Sequence, residues 1–116
     1  MDIEKATLVL TALSQSSRLE AFRLLVRHEP HGLPAGQIAD HLGVPQNTMS
    51  SHLSVLSRAG LTKSQRRSRL IIYRADLAAL REVLLFLAKD CCDGKPELCG
   101  PLITSLASCS RQSEGV

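Results

Sequence analysis

The stretch Gln46-Asn47-Thr48-Met49-Ser50-Ser51-His52-Leu53-Ser54-Val55-Leu56-Ser57-Arg58-Ala59-Gly60 decides how this chain is read. Met49, Leu53 and Leu56 recur at helical spacing and predict one buried side. Gln46, Asn47, Ser50, Ser51 and Ser54 fall on the other side. A solvated helix face usually mixes Glu with Lys. This one offers amides and hydroxyls without a carboxylate, which suits a partner other than water. Val44-Pro45 opens the helix and Gly60 closes it after about Ala59.

Toward the N-terminus three more helices are expected. Ala6, Val9, Leu10 and Leu13 mark one over Glu4–Leu13. Ser14, Gln15, Ser16 and Ser17 then supply N-cap candidates for a second helix over about Arg18–His28, with Leu19, Phe22, Leu25 and Val26 inward. Pro30-His31-Gly32 ends it. Pro34 suits the first turn of a third helix, which carries Ile38, Ala39 and Leu42 and stops near Gly43.

Toward the C-terminus, Leu61 to Arg74 reads as a hairpin. Its returning arm Leu70-Ile71-Ile72-Tyr73 is strongly β-prone, and Arg66-Arg67-Ser68-Arg69 forms an exposed, unpaired tip. Asp76 caps a last helix to about Asp90, in which Leu77, Leu80, Val83, Leu84, Leu85, Phe86 and Leu87 cover nearly the whole circumference. A helix apolar all round is buried on more than one side. In 116 residues the second surface is expected to be another copy, joined through the first and last helices as a two-fold dimer.

Helix, turn, polar-faced helix and basic hairpin follow in the order of a winged helix-turn-helix. The expected fold is mainly α (α+β), α-α-α-α-β-β-α, as a homodimer. Residues 1–90 would form the DNA-binding and dimerisation domain, and 91–116 a thiol-containing sensor segment and tail. The net charge of +3 is mild, but no Asp or Glu falls between Asp40 and Asp76, where Arg58, Lys63, Arg66, Arg67, Arg69 and Arg74 lie. Such a one-sign stretch attracts a polyanion. The helix would read base edges in the major groove through Gln46, Asn47, Ser50, Ser51, His52 and Ser54, with Arg67 and Arg69 reaching phosphate or the minor groove. His52 reads equally as a DNA contact or a half-buried helix residue.

Gln37-Ile38-Ala39-Asp40-His41-Leu42-Gly43-Val44, followed by Met49-Ser50-Ser51-His52-Leu53-Ser54-Val55-Leu56-Ser57-Arg58-Ala59-Gly60-Leu61, resembles the ArsR/SmtB family of metal-responsive repressors. Ala12-Leu13 and Arg18-Leu19-Glu20-Ala21-Phe22-Arg23-Leu24-Leu25 match its second-helix pattern, so the resemblance covers about residues 6–88. It implies a cytoplasmic homodimer that binds double-stranded operator DNA and releases it when an inducer binds. Pro45 stands where the family often has Ser or Thr, and the hairpin tip lacks the usual Gly. The family's best-known arsenic sensors carry cysteines on the third helix, at positions that are here Pro34, Gly36 and Ala39. Its zinc sites on the last helix use spaced histidines, and none lies between Asp76 and Asp90. His28, His31 and His41 lack a helical pairing with cysteine and read as surface residues.

What remains is Cys91-Cys92-Asp93-Gly94-Lys95-Pro96-Glu97-Leu98-Cys99. Three thiols without a nearby histidine suit a thiophilic ion, and trivalent arsenic or antimony takes three sulfurs in a pyramid. The pattern is similar to that of arsenic-responsive family members with C-terminal cysteines. The expected metal ligands are therefore Cys91, Cys92 and Cys99, with As(III) or Sb(III) as inducer and no catalytic cofactor. Cys109, past Gly100-Pro101, reads as a bystander. The alternative keeps the fold but has the thiols sense oxidants or reactive sulfur, with Cys92 and Cys99 as the natural disulfide pair. An enzyme is not expected: the cysteines follow a helix C-terminus, and no anion-cradling loop is present.

The opening Met1-Asp2-Ile3-Glu4-Lys5 does not read as a signal peptide, and no apolar run approaches the ~20 residues of a membrane span. A cytoplasmic protein with reduced thiols and no membrane contact is expected.

Overall fold

Local signals set most of the element ends. In the computed structural model, which describes residues 1–88, 100, 101, 104 and 105, the first helix (α1, Ile3–Leu13) starts where the Asp2 carboxylate accepts the Lys5 amide at 2.8 Å. The second (α2, Ser16–Arg27) starts at Gln15, whose side-chain oxygen accepts the Arg18 amide. Of the four N-cap candidates the structure uses this one, and the helix begins two residues earlier than expected. A two-residue strand (β1, Leu33–Pro34) follows, then α3 (Ala35–Leu42), α4 (Gln46–Arg58), β2 (Thr62–Arg67), β3 (Leu70–Ala75) and α5 (Leu77–Ala88). The Asp76 carboxylate caps α5 by accepting the Ala79 amide at 3.1 Å. The chain divides into two compact units, Met1–Val83 and Leu84–Val116.

The observed order is α-α-β-α-α-β-β-α, so β1 is an addition to the expected sequence of elements. Pro34 is extended, with φ −74° and ψ 156°, and serves as the N-cap of α3 rather than as part of its first turn. The sheet is antiparallel in the order β1-β3-β2. Leu33 faces Tyr73 and Pro34 faces Ile72, while β2 runs against β3 from Thr62↔Ala75 to Arg67↔Leu70. A strand without an N–H at its last residue tolerates proline because β1 lies at the sheet edge.

The core of the first unit gathers Leu25, Ile38, Met49, Leu53, Leu56, Leu61 and Val9, all fully buried. Two inward assignments differ from expectation. Leu10 and Leu19 are exposed, and Ala12, Ala21 and Leu24 are buried in their place.

The end of α4 forms a Schellman turn: Leu61 N–H donates to Leu56 O at 3.0 Å and Gly60 N–H to Ser57 O at 3.0 Å. This needs a left-handed residue, and Gly60 has φ +83°. The turn drops Leu61 into the core and aims β2 outward. Two further bonds hold the base of the hairpin. Asp76 N–H donates to Leu61 O at 2.8 Å, and the Ser57 and Thr62 hydroxyls bond at 2.8 Å. Beyond Thr62 every β2 residue is exposed, so this arm and the tip project as a wing, while Ile72 and Ala75 keep the β3 arm in the core.

Within α5 only Val83 is buried, while Leu77, Leu84, Leu85 and Leu87 are 44–61 % exposed. Among the described residues, no helix is long and apolar enough to cross a membrane.

Candidate nucleic-acid interface

Met49, Leu53 and Leu56 anchor α4, each with no exposed surface. This fixes the helix about its axis and turns Gln46, Asn47, Ser50, Ser51 and Ser54 to solvent, all exposed. From Gln46 to Ser54 the face runs about 12 Å along the axis at 1.5 Å per residue, a length matching the width of a B-DNA major groove. His52 is placed elsewhere. At 3.6 residues per turn it projects roughly 170° from the middle of that face, and it is half-buried. The structure therefore does not bring it together with the serines. Arg58, which sequence reasoning left among general basic residues, lies on the polar face, with its guanidinium 3.5 Å from the Ser54 hydroxyl. The signal was available as spacing, since Ser54 and Arg58 are four apart.

Proline at the N-cap leaves the first turn of α4 without a side-chain cap from position 45. Asn47 compensates in part: its Oδ1 accepts the Thr48 amide at 2.9 Å, and its carbonyl accepts the Ser51 hydroxyl at 3.3 Å. The positive end of the helix dipole thus faces outward beside hydroxyl and amide groups, a favourable setting for phosphate oxygen.

The wing tip is a two-residue turn at Ser68-Arg69, closed by the Arg67↔Leu70 pair. Ser68 has φ +59°, so the absent glycine is replaced by a left-handed serine. Positive φ at the first central position is the sign expected of a type II′ hairpin. Arg67 and Arg69 are exposed here. The expectation of wholly unpaired arginines is corrected for Arg67. With the Gln65 amide oriented to satisfy its neighbours, its oxygen accepts from Arg67 Nε at 2.9 Å and from its terminal nitrogen at 3.0 Å. Residues i and i+2 share a strand face, which is why the two meet.

Arg74 also leaves the free basic set. Its Nε and a terminal nitrogen donate to the two Glu29 carboxylate oxygens, each at 3.0 Å. That bond outweighs partial desolvation and, with a smaller Coulomb attraction to Glu29, raises the guanidinium's pKa. The pair ties the end of β3 to the chain leaving α2, so this arginine positions the wing rather than extending its charge.

Between α4 and the wing lies an open cleft of about 540 Å³. Gln46, Ser50 and Arg69 line it together with Gly36, Asp40 and Leu70. Three of the expected contact residues, from a helix and from a hairpin tip 19 to 23 positions later in the chain, therefore border one concavity. Cys91, Cys92, Cys99 and Cys109 lie outside the described residues. Among the described residues no group of three or more His, Cys, Asp or Glu side chains is placed to hold a metal ion.

Comparisons with known proteins agree with this geometry. A helix-turn-helix domain model matches residues 13–65. The chain is 33 % identical over 91 residues to the uncharacterized HTH-type transcriptional regulator YbzH of Bacillus subtilis, spanning 68 % of this chain and 91 % of YbzH. It is similar in structure to an ArsR-like transcriptional regulator from Rhodococcus sp. RHA1, with TM-score 0.71 and 28 % identity, covering 90 % of this chain and 93 % of that one. A crystal structure named "Possible transcriptional regulator for arsenical resistance" superposes with TM-score 0.61 and 25 % identity, covering 69 % and 80 % of the two chains. A polar-faced helix and an arginine-tipped wing on one scaffold, together with these relatives, show that the chain belongs to the ArsR family of DNA-binding helix-turn-helix transcriptional regulators.

Proposed function

We propose that this regulator is a repressor that binds operator DNA as a homodimer and leaves it when trivalent arsenic or antimony binds Cys91, Cys92 and Cys99. The observation that carries the DNA half is the exposed, carboxylate-free face of α4, which borders one cleft with Arg69 of the wing. Gln46, Asn47, Ser50, Ser51 and Ser54 read base edges, and Arg67 and Arg69 contact phosphate or the minor groove. His52 acts only indirectly, by packing behind the reading face.

The dimer reading rests on apolar exposure. Ile3, Leu8 and Leu10 of α1 are 41–68 % exposed, and so are Leu77, Leu84, Leu85 and Leu87 of α5 within similar bounds. So many large apolar side chains on two helices of one small chain favour burial by a second copy. Sedimentation of Leu8→Glu and Leu85→Glu proteins should report monomer where the parent is dimer.

For the inducer, the donor set is the support. Three thiols and no imidazole in the Cys91–Cys99 segment fit a soft, three-coordinate ion. The likeness to a structure named for arsenical resistance is consistent with that choice. Pulling the segment after α5 around an ion would change the spacing of the two recognition helices and spoil their match to the half-sites.

The test uses a duplex selected by the protein from a random pool, with fluorescence anisotropy as the readout. Arsenite should lower affinity at least tenfold, and Cys91→Ser, Cys92→Ser or Cys99→Ser should abolish that response while leaving DNA binding intact. Unchanged affinity in arsenite sinks the inducer reading. If peroxide instead releases the DNA, with loss of two hydrogens by mass, the thiols sense oxidants.

A further inference from the structure

From the packing of α2 against α3 we infer a second, separate metal site: His28 and His41 form a two-imidazole site for a divalent first-row transition ion. His28 is the C-cap of α2 and His41 lies in the last turn of α3. Their ring centres are 6.0 Å apart, with planes at 66°. Two imidazoles on one tetrahedral zinc, each bound through nitrogen at about 2.0–2.1 Å, hold their ring centres roughly 5–6 Å apart. The observed centroid separation is thus already of the size that two imidazoles on one ion require.

The protonation pattern already suits a ligand. His28 Nδ1 lies 3.0 Å from Leu24 O. A carbonyl only accepts, so in the neutral ring Nδ1 carries the proton and Nε2 keeps its lone pair. A histidine bound to metal through one nitrogen commonly donates the other N–H to a backbone carbonyl in this way, which fixes tautomer and ring orientation. His41 is exposed, and its ring makes no hydrogen bond among the described residues, so it is free to turn toward the ion.

The surrounding field favours a cation as well. Both residues sit at helix C-termini, where the dipoles present partial negative charge. With no third His, Cys, Asp or Glu grouped there among the described residues, water completes the coordination sphere. Binding is accordingly exchangeable, and imidazole donors select Cu(II), Zn(II) or Ni(II) over Mg(II) or Ca(II). A bound ion would staple α3, the first helix of the helix-turn-helix, to α2 beneath it.

The test is independent of the thiol site. Full-length protein with Cys91, Cys92, Cys99 and Cys109 all replaced by Ser is titrated with Zn(II) against a chromophoric chelator. One ion per chain is expected, with shifted imidazole nitrogen resonances of His28 and His41 by NMR. His41→Ala, at an exposed position, should weaken binding at least tenfold and His28→Gln should do likewise, while His31→Ala leaves it unchanged. Absence of binding in the four-serine protein overturns the proposal. So does affinity that survives His41→Ala, or that depends on His31 instead.

Discussion

Replacing Gly32 by alanine tests how the hairpin is locked to the helical scaffold. Gly32 follows the last turn of α2 and precedes β1, with φ +74°. An alanine Cβ there would lie 2.7 Å from Arg74 Cγ and 2.8 Å from Ile72 Cγ2, and would press on the carbonyl oxygen of Tyr73. None of these neighbours can yield cheaply. The carbonyl belongs to β3, whose Tyr73 pairs with Leu33, and the Arg74 side chain is held at both ends of its fork by Glu29. Left-handed backbone costs a non-glycine residue about 1–2 kcal/mol, and forcing extra atoms into a packed site costs typically ~1–3 kcal/mol more. The sum is about 2–5 kcal/mol, a large share of the ~5–15 kcal/mol that holds a domain folded.

Gly43 and Gly60 provide the control. They share the positive φ, +67° and +83°, but a Cβ on either meets nothing within 4 Å. Gly43→Ala and Gly60→Ala should therefore show the backbone cost alone, about 1–2 kcal/mol. Urea unfolding followed by circular dichroism, at one fixed protein concentration because association shifts apparent stability, compares all three. Gly32→Ala should exceed both controls by at least ~1 kcal/mol. Equal losses at the three sites would refute the claim that close approach of β3, rather than backbone conformation, makes glycine necessary at position 32.

Other perturbations separate the reading surface from the scaffold. Arg69→Ala should leave the urea midpoint unchanged but reduce the slope of log affinity against log salt by about 0.9 per lost phosphate contact, or ~1.8 for a two-fold dimer. An unaltered slope would remove Arg69 from the interface. Leu53→Ala, at a fully buried position, should destabilise by about 2–5 kcal/mol, whereas Ser54→Ala one residue later should cost binding and not stability. Ser68→Gly should stabilise the wing by up to ~1 kcal/mol through relief of its left-handed serine, read as a raised unfolding temperature. Glu29→Gln removes the charge that holds Arg74 and should speed amide exchange in β3 without touching α4. Protection factors that stay put would show that the pair does not fix the wing.

Periodicity and punctuation made much of this protein legible from its sequence. The buried line Met49, Leu53, Leu56, the polar opposite face, the closing role of Gly60 and the capping role of Asp76 all follow from spacing within a single turn of chain. Interactions of that range are set by the local residues whatever surrounds them. The same is true of the basic hairpin, whose β-prone arm and arginine tip are contiguous.

Features that join distant segments were not legible. Strand β1 is two residues long and has no period to detect; it exists because Leu33 and Pro34 lie beside β3. Glu29 and Arg74 are 45 positions apart, and no rule of spacing pairs them, so Arg74 counts as DNA-facing charge until packing assigns it to the scaffold. His28 and His41 look like separate surface residues until α2 and α3 meet. The exchange of Leu10 and Leu19 for Ala12, Ala21 and Leu24 in the core has the same origin. A helix has several apolar stripes, and which one is buried depends on how closely its neighbour can approach. Sequence determined the elements and the chemistry of the reading face. Tertiary packing decided which charges are free, which imidazoles are neighbours and which apolar stripe faces inward, because those depend on distances that only the folded chain brings into being.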